Sequence, residues 1–104
     1  MHAIVRRYEG VDTSRTDELT KKVGETLMPR LSKPQGFNGY FLIEAGNGIM
    51  TSVGLFETST QAAESTKISS EWIRDERLEK ALPNPPKVTD GEVIVHKTNG
   101  VLVA

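Results

Sequence analysis

The first third of the chain contains a strand-like run of residues followed by apolar positions that recur with a helical period. Residues 3–8 are rich in β-forming side chains and predict a first strand. Leucine or valine then recurs every fourth residue over residues 19–31, which predicts a helix with one apolar face. Pro29 does not fit inside a straight helix, so we expect this helix to end or kink near residues 27–30.

A hairpin and a second helix are predicted next. Residues 37–44 and 49–57 are two further strand-like runs, and the Asn-Gly step at Asn47 favours a tight turn between them. A capping box at Thr58 predicts the start of a helix. The apolar face of that helix changes direction near residues 74–76, which indicates a break followed by a short further helix.

The last predicted strand covers residues 92–97, and we expect the apolar tail 101–104 to add a short strand or to reach a partner. This order of elements predicts an α+β, ferredoxin-like βαββαβ fold, in which both helices cover one face of a four-stranded antiparallel sheet. The runs 41–43 and 93–95 are nevertheless apolar on both faces. We therefore expect a second copy to cover the open face, giving a homodimer with a shared barrel-like core.

Composition limits the classes of function. The chain has 104 residues, enough for a single domain over 1–104, and its 37% hydrophobic and 26% charged residues are typical of soluble proteins. Near-balanced charge, 13 Lys and Arg against 14 Asp and Glu, argues against a nucleic-acid partner. No apolar run approaches the roughly 20 residues of a membrane span, and the start lacks a signal-peptide pattern, so we expect a cytoplasmic protein. Without cysteine, and with two histidines, we expect no metal site.

Five short motifs along nearly the whole chain carry a family resemblance. They are Arg6-Arg7-Tyr8-Glu9-Gly10, Gly36-Phe37 with Gly39-Tyr40, Ser52-Val53 with Phe56-Glu57, Glu71-Trp72-Ile73-Arg74 and Gly91-Glu92-Val93-Ile94-Val95. They resemble the small antibiotic-biosynthesis-monooxygenase-like (ABM-like) proteins of the dimeric α+β barrel superfamily. The resemblance implies a dimer of ferredoxin-like subunits. It also implies that Trp72 matches the tryptophan that cofactor-independent oxygenases of polycyclic phenols place beside a cavity between helices and sheet.

Haem-degrading relatives supply a contrast. They also use an Asn on the first strand and a His near the end of the second helix, whereas this first strand offers Arg6, Arg7 and Tyr8, and no His lies between Trp72 and His96. The resemblance therefore does not extend to haem degradation.

Trp72, with the small residues Ser65 and Ser69 on the same helical face, is expected either to line a ligand cavity or to belong to the core. Tyr40 is a candidate catalytic residue or an amphipathic residue at a sheet or dimer edge. His96 is a candidate base, because its ordinary pKa is about 6.5, or a solvated strand residue.

Arg6 has two possible roles. It can bind an anionic or phenolate oxygen of a ligand, or it can pair with a carboxylate such as Glu44 or Glu57. Arg6 and Arg7 point to opposite faces of the strand, so at most one of them faces a given cavity.

Two functions follow from these candidates. The first is a cofactor-independent monooxygenase for an aromatic, phenolic small molecule, with no bound cofactor. The alternative is a non-catalytic dimer that binds a small apolar ligand or assists a pathway enzyme.

Overall fold

The sheet consists of four antiparallel strands: β1 (His2–Tyr8), β2 (Phe37–Gly46), β3 (Ile49–Phe56) and β4 (Lys87–Glu92). The order across the sheet is β2-β3-β1-β4, so β1 and β3 occupy the centre. The structure, a computed structural model, describes residues 1–97. Strand pairing confirms the predicted ferredoxin-like α+β fold. The predicted role of tail 101–104 lies outside the described residues.

The first helical segment spans residues 16–32 and has an irregular centre. It consists of α1 (Thr16–Lys22), a π-helical stretch (Val23–Leu27) and α2 (Met28–Ser32), after a short 3₁₀ turn (Thr13–Arg15). Pro29 falls in the first turn of α2, directly after the π-helical stretch. The helix does not end at residues 27–30 but continues to Ser32, and its irregularity is the π-helical stretch Val23–Leu27 that precedes the proline.

The hairpin and the capping box are both confirmed. Asn47 and Gly48 have positive φ angles, as a tight hairpin turn requires. At the start of α3 (Ser59–Asp75), the Gln61 amide donates to Thr58 Oγ1 at 3.2 Å, and the Thr58 amide donates to Gln61 Oε1 at 3.0 Å. The short further helix predicted after residue 76 is wrong: the structure has turns there, although Leu78 and Ala81 are fully buried.

The predicted position of the last strand is also wrong. The structure places β4 at Lys87–Glu92, whereas the prediction was 92–97. Glu92 pairs with His2 at the start of β1, so the chain beyond Val93 has no further β1 residue to pair with. Ile94 and Val95 are accordingly 90% and 84% exposed. The prediction failed because β4 is exposed along its whole length, so its sequence lacks the apolar–polar alternation of a half-buried strand.

The two faces of the sheet differ in what covers them. The helix-covered face packs against the first helical segment and α3, and its side chains include Ile4, Arg6, Tyr8, Met50, Ser52 and Phe56. Side chains of the opposite, open face include Val5, Phe41, Ile43, Val53 and Leu55. Phe41 is 59% exposed and Ile43 is 47% exposed. Of the two apolar runs that suggested a dimer, the first places Phe41 and Ile43 on the open face and Leu42 on the helix-covered face, and the second has left the sheet.

Candidate functional site

A cavity lies between the first helical segment, α3 and the helix-covered face of the sheet. Its apolar wall is formed by Leu19, Val23, Leu27, Leu42, Met50 and Leu82, and its polar lining groups are Tyr8, Tyr40, Ser52, Ser69 and Trp72. The accessible volume of this Trp72 cavity is about 30 Å³, which is room for a few water molecules. All the empty space between the lining atoms, including the open mouth, amounts to about 420 Å³.

Trp72 belongs to the core and to the cavity wall at the same time. Its side chain is 3% exposed, and its indole N–H donates to Thr26 Oγ1 at 2.7 Å. Thr26 lies in the π-helical stretch and donates its own hydroxyl hydrogen to the Lys22 carbonyl oxygen at 2.8 Å. The indole ring is therefore held in a defined orientation by the irregular part of the first helical segment. The sequence pattern allowed a place in the core or in a cavity wall, and the structure combines the two.

Tyr40 lies in the lining of the cavity together with Tyr8, which sequence reasoning missed as a site residue. Burial raises the pKa of both hydroxyls, and the positive charge of Arg6 acts in the opposite direction on both. Both phenols are therefore neutral near pH 7, so they are available to donate hydrogen bonds and do not act as bases. The signal for Tyr8 was available, because it lies two residues after Arg6 and so shares its face of β1.

Arg6 is a buried cation. Its side chain is 2% exposed, and Nη2 donates to Ser65 Oγ at 2.7 Å and to Thr66 Oγ1 at 2.9 Å. Within residues 1–97, its Nε has no hydrogen-bond partner and no carboxylate pairs with it. Desolvation lowers the pKa of the guanidinium from its ordinary value, and the nearby tyrosines oppose this.

The predicted ion pair of Arg6 with Glu44 or Glu57 is therefore wrong for the described chain. Glu44 instead accepts a hydrogen bond from the Gly46 amide at 3.0 Å. Of the two arginines of β1, Arg7 on the open face pairs with a carboxylate, at 2.9 Å from Glu9. Arg6 faces the small side chains of α3, where no acid is within reach in the described chain.

The two serines of α3 separate into different environments. Ser69 lines the Trp72 cavity. Ser65 accepts a hydrogen bond from Arg6, donates to the Ala62 carbonyl oxygen at 2.6 Å, and borders a much smaller space beside Phe56. Ser65 is therefore a partner of Arg6 rather than a cavity residue.

His96 is not brought to the cavity. It lies beyond the end of β4 and is exposed, so the described chain does not place it near Tyr40 or Trp72. Over residues 1–97 no group of three or more His, Asp or Glu side chains is arranged to hold a metal ion. None of the helices in the described part of the chain combines the length and hydropathy needed to cross a bilayer.

Comparison with known proteins identifies the fold. No protein-family model matches the chain, and no curated protein matches it either. Solved structures do match. A protein of unknown function from Nitrosomonas europaea has a TM-score of 0.72 and 16% identity, covering 93% of this chain and 92% of its own. A Streptomyces coelicolor monooxygenase, solved with the ligand nanaomycin D, has a TM-score of 0.67 and 12% identity, with coverages of 93% and 92%.

A dimeric ferredoxin-like protein from an uncultured marine organism has a TM-score of 0.68 and 14% identity, covering 94% of this chain and 91% of its own. At such identities the likeness is one of fold. The chain therefore has the ABM-like, ferredoxin-like fold that its motifs suggested.

Proposed function

We propose that the protein is a homodimer that binds a small phenolic aromatic molecule in the Trp72 cavity and oxygenates it without a bound cofactor. The observation that carries this proposal is the composition of the cavity. One buried indole and a set of aliphatic side chains surround three hydroxyl groups on neighbouring strands, those of Tyr8, Tyr40 and Ser52. An apolar slot with a few convergent polar groups is the usual form of a small-molecule site.

The size of the cavity limits the ligand. Small-molecule sites usually measure about 300–1,000 Å³, whereas the accessible volume of this cavity is only about 30 Å³. A ring can enter only if lining side chains change rotamer. Met50 is suited to this because an unbranched thioether side chain adapts readily. A ligand with one or two fused rings therefore fits the proposal better than a larger polycycle.

The proposed reaction requires few functional groups from the protein. In the reaction of a phenol with dioxygen, the ring supplies two electron pairs, one oxygen atom bonds to a ring carbon, the other leaves as water with two hydrogen atoms of the phenol, and the product is a quinone. The protein must hold the ring, exclude bulk water and stabilise the phenolic oxygen. Trp72 can stack against the ring, and Tyr40 can donate a hydrogen bond to that oxygen. His96 has no place in this proposal.

The homodimer is supported by the open face of the sheet. Phe41, Val53 and Val5 are register neighbours in one row across three strands of that face. Phe41 alone leaves 59% of its surface in water, and a second copy of the sheet packed on this row would bury it. The dimeric ferredoxin-like protein of similar fold gives the arrangement a precedent.

Non-catalytic binding of the same class of ligand is the second candidate. Within the described chain, the titratable groups that line the cavity are the two tyrosines alone, and this favours binding without catalysis. Neither is a base near neutral pH, because burial raises both pKa values. In this case the dimer would carry a ligand or assist a pathway enzyme.

Trp72 fluorescence and oxygen consumption together test the proposal. The protein is titrated with naphthols and hydroquinones, and oxygen uptake is followed with an electrode. We expect saturable quenching and oxygen uptake with at least one compound, both weakened in Ser69→Leu, which fills the cavity, and unchanged in Ser70→Leu on the exposed side of α3. Quenching without oxygen uptake supports the non-catalytic candidate, and the lack of both contradicts each of them.

A further inference from the structure

Arg6 presents an electrostatic feature that the proposed function leaves unused. A buried guanidinium normally has a carboxylate partner, because transfer of an unpaired charge out of water is costly. Here the side chain is 2% exposed, its two hydrogen-bond acceptors are neutral hydroxyls, and Nε lacks a partner within residues 1–97. The described protein therefore holds a positive charge in its interior without compensating it.

The elements around Arg6 supply hydroxyls instead of acids. Ser52 of β3 is its direct register partner, and Val88 is its partner on β4. Ser65 and Thr66 of α3 accept its hydrogen bonds. The titratable groups that act electrostatically on it are the two cavity tyrosines, Tyr8 and Tyr40.

The charge lies directly behind the polar wall of the Trp72 cavity. Ser52 and both cavity tyrosines line that cavity, whereas Arg6 itself does not. A cation behind a hydroxyl favours the orientation with oxygen toward the cation and hydrogen away from it. A ligand oxygen in the cavity would reinforce this orientation by accepting hydrogen bonds from these hydroxyls.

We infer that Arg6 makes the Trp72 cavity select an acidic aromatic ligand in its ionised form, a phenolate or an enolate whose oxygen accepts hydrogen bonds from the hydroxyl-bearing wall. Arg6 is a positioning residue in this inference, since it acts through the hydroxyls and through its charge. The inference rests on the proposed function, and it adds the charge state of the ligand. Binding the anion would also supply the negative charge that the buried guanidinium lacks.

The test uses two probes of matched shape and opposite capacity to ionise. 4-Nitrophenol ionises near neutral pH, and its anion absorbs visible light, whereas nitrobenzene has no ionisable group. Binding of each to the full chain is measured by equilibrium dialysis and Trp72 quenching, and the ionised fraction of bound 4-nitrophenol is read from absorbance across a pH series. We expect bound 4-nitrophenol to ionise at lower pH than the free compound.

Variants at Arg6 test whether its charge causes the shift in the ionisation of 4-nitrophenol. A nearby opposite charge lowers an acid's pKa by about 1–3 units, so Arg6→Met should weaken anion binding by about tenfold or more, with nitrobenzene binding unchanged. Arg6→Lys, which keeps the charge, should retain most of the shift in ionisation. Urea unfolding establishes whether each variant is folded. The pH series on the wild-type protein tests the inference even if no variant folds.

The outcomes separate the inference from the proposed function. If 4-nitrophenol binds wild-type protein in its neutral form, or ionises equally in wild type and a folded Arg6→Met, the inference is overturned while the cavity remains a ligand site. If neither probe is retained by the wild-type protein, the proposed function fails and the inference fails with it.

Discussion

Replacement of Thr26 by valine removes one hydroxyl, keeps the shape of the side chain, and so isolates the hydrogen bond that holds the Trp72 indole. The indole N–H donates to Thr26 Oγ1 at 2.7 Å in a side chain that is 3% exposed. A buried donor left without its partner costs about 1–3 kcal/mol. We expect Thr26→Val to lower the free energy of unfolding by that amount, which moves the urea midpoint by on the order of 1 M.

Thr20 offers a matched control. Its hydroxyl donates to the Thr16 carbonyl oxygen at 2.9 Å, the same four-residue backbone contact that Thr26 makes to Lys22, but it is exposed. Thr20→Val should therefore cost no more than about 0.5 kcal/mol. Unfolding is followed by far-UV circular dichroism, so that Trp72→Phe, alone and combined with Thr26→Val, can complete a double-mutant cycle.

In the Trp72→Phe background, Thr26→Val should cost little, because phenylalanine has no N–H to leave unpaired. Equal losses in Thr26→Val and Thr20→Val would refute the reasoning. A Thr26→Val cost that persists in full in the Trp72→Phe background would refute it as well.

Three further predictions test the fold and its faces. Phe41→Glu should convert a dimer to a monomer in light scattering, whereas Ser70→Glu on exposed α3 should not; a dimer in both would contradict the open-face interface. Gly54→Ala should cost about 1–3 kcal/mol in urea unfolding, because its Cβ would lie 2.8 Å from a ring atom of Phe56. Gly24→Ala, with no atom within 4 Å, should be neutral or stabilising; the reverse order would contradict this packing. Burial raises the pKa of both cavity tyrosines above 10.0. The unfolded state then loses its tyrosine protons at a lower pH than the folded state. The free energy of unfolding should therefore be undiminished below pH 10.0 and fall above it, and the fall should be smaller when both tyrosines are replaced by Phe. Equal pH profiles of the wild type and this double variant would contradict the prediction.

Local chemistry was sufficient for most of the fold. The capping box at Thr58 and the Asn-Gly turn at Asn47 each satisfy backbone groups within a few residues, so their sequence signals are complete in themselves. The last strand was misplaced because β4 is exposed along its length and is held by hydrogen bonds to β1 rather than by an apolar side. A strand of that kind has no periodicity to detect.

Some features of the candidate site could likewise be predicted from the sequence, and others could not. Strand register placed Arg6 beside Ser52, and helix packing placed it against Ser65 and Thr66, which left Arg7 to pair with Glu9. A buried charge pairs with a carboxylate only if another element brings one close, and the sequence of a single strand does not show which side chains other elements bring.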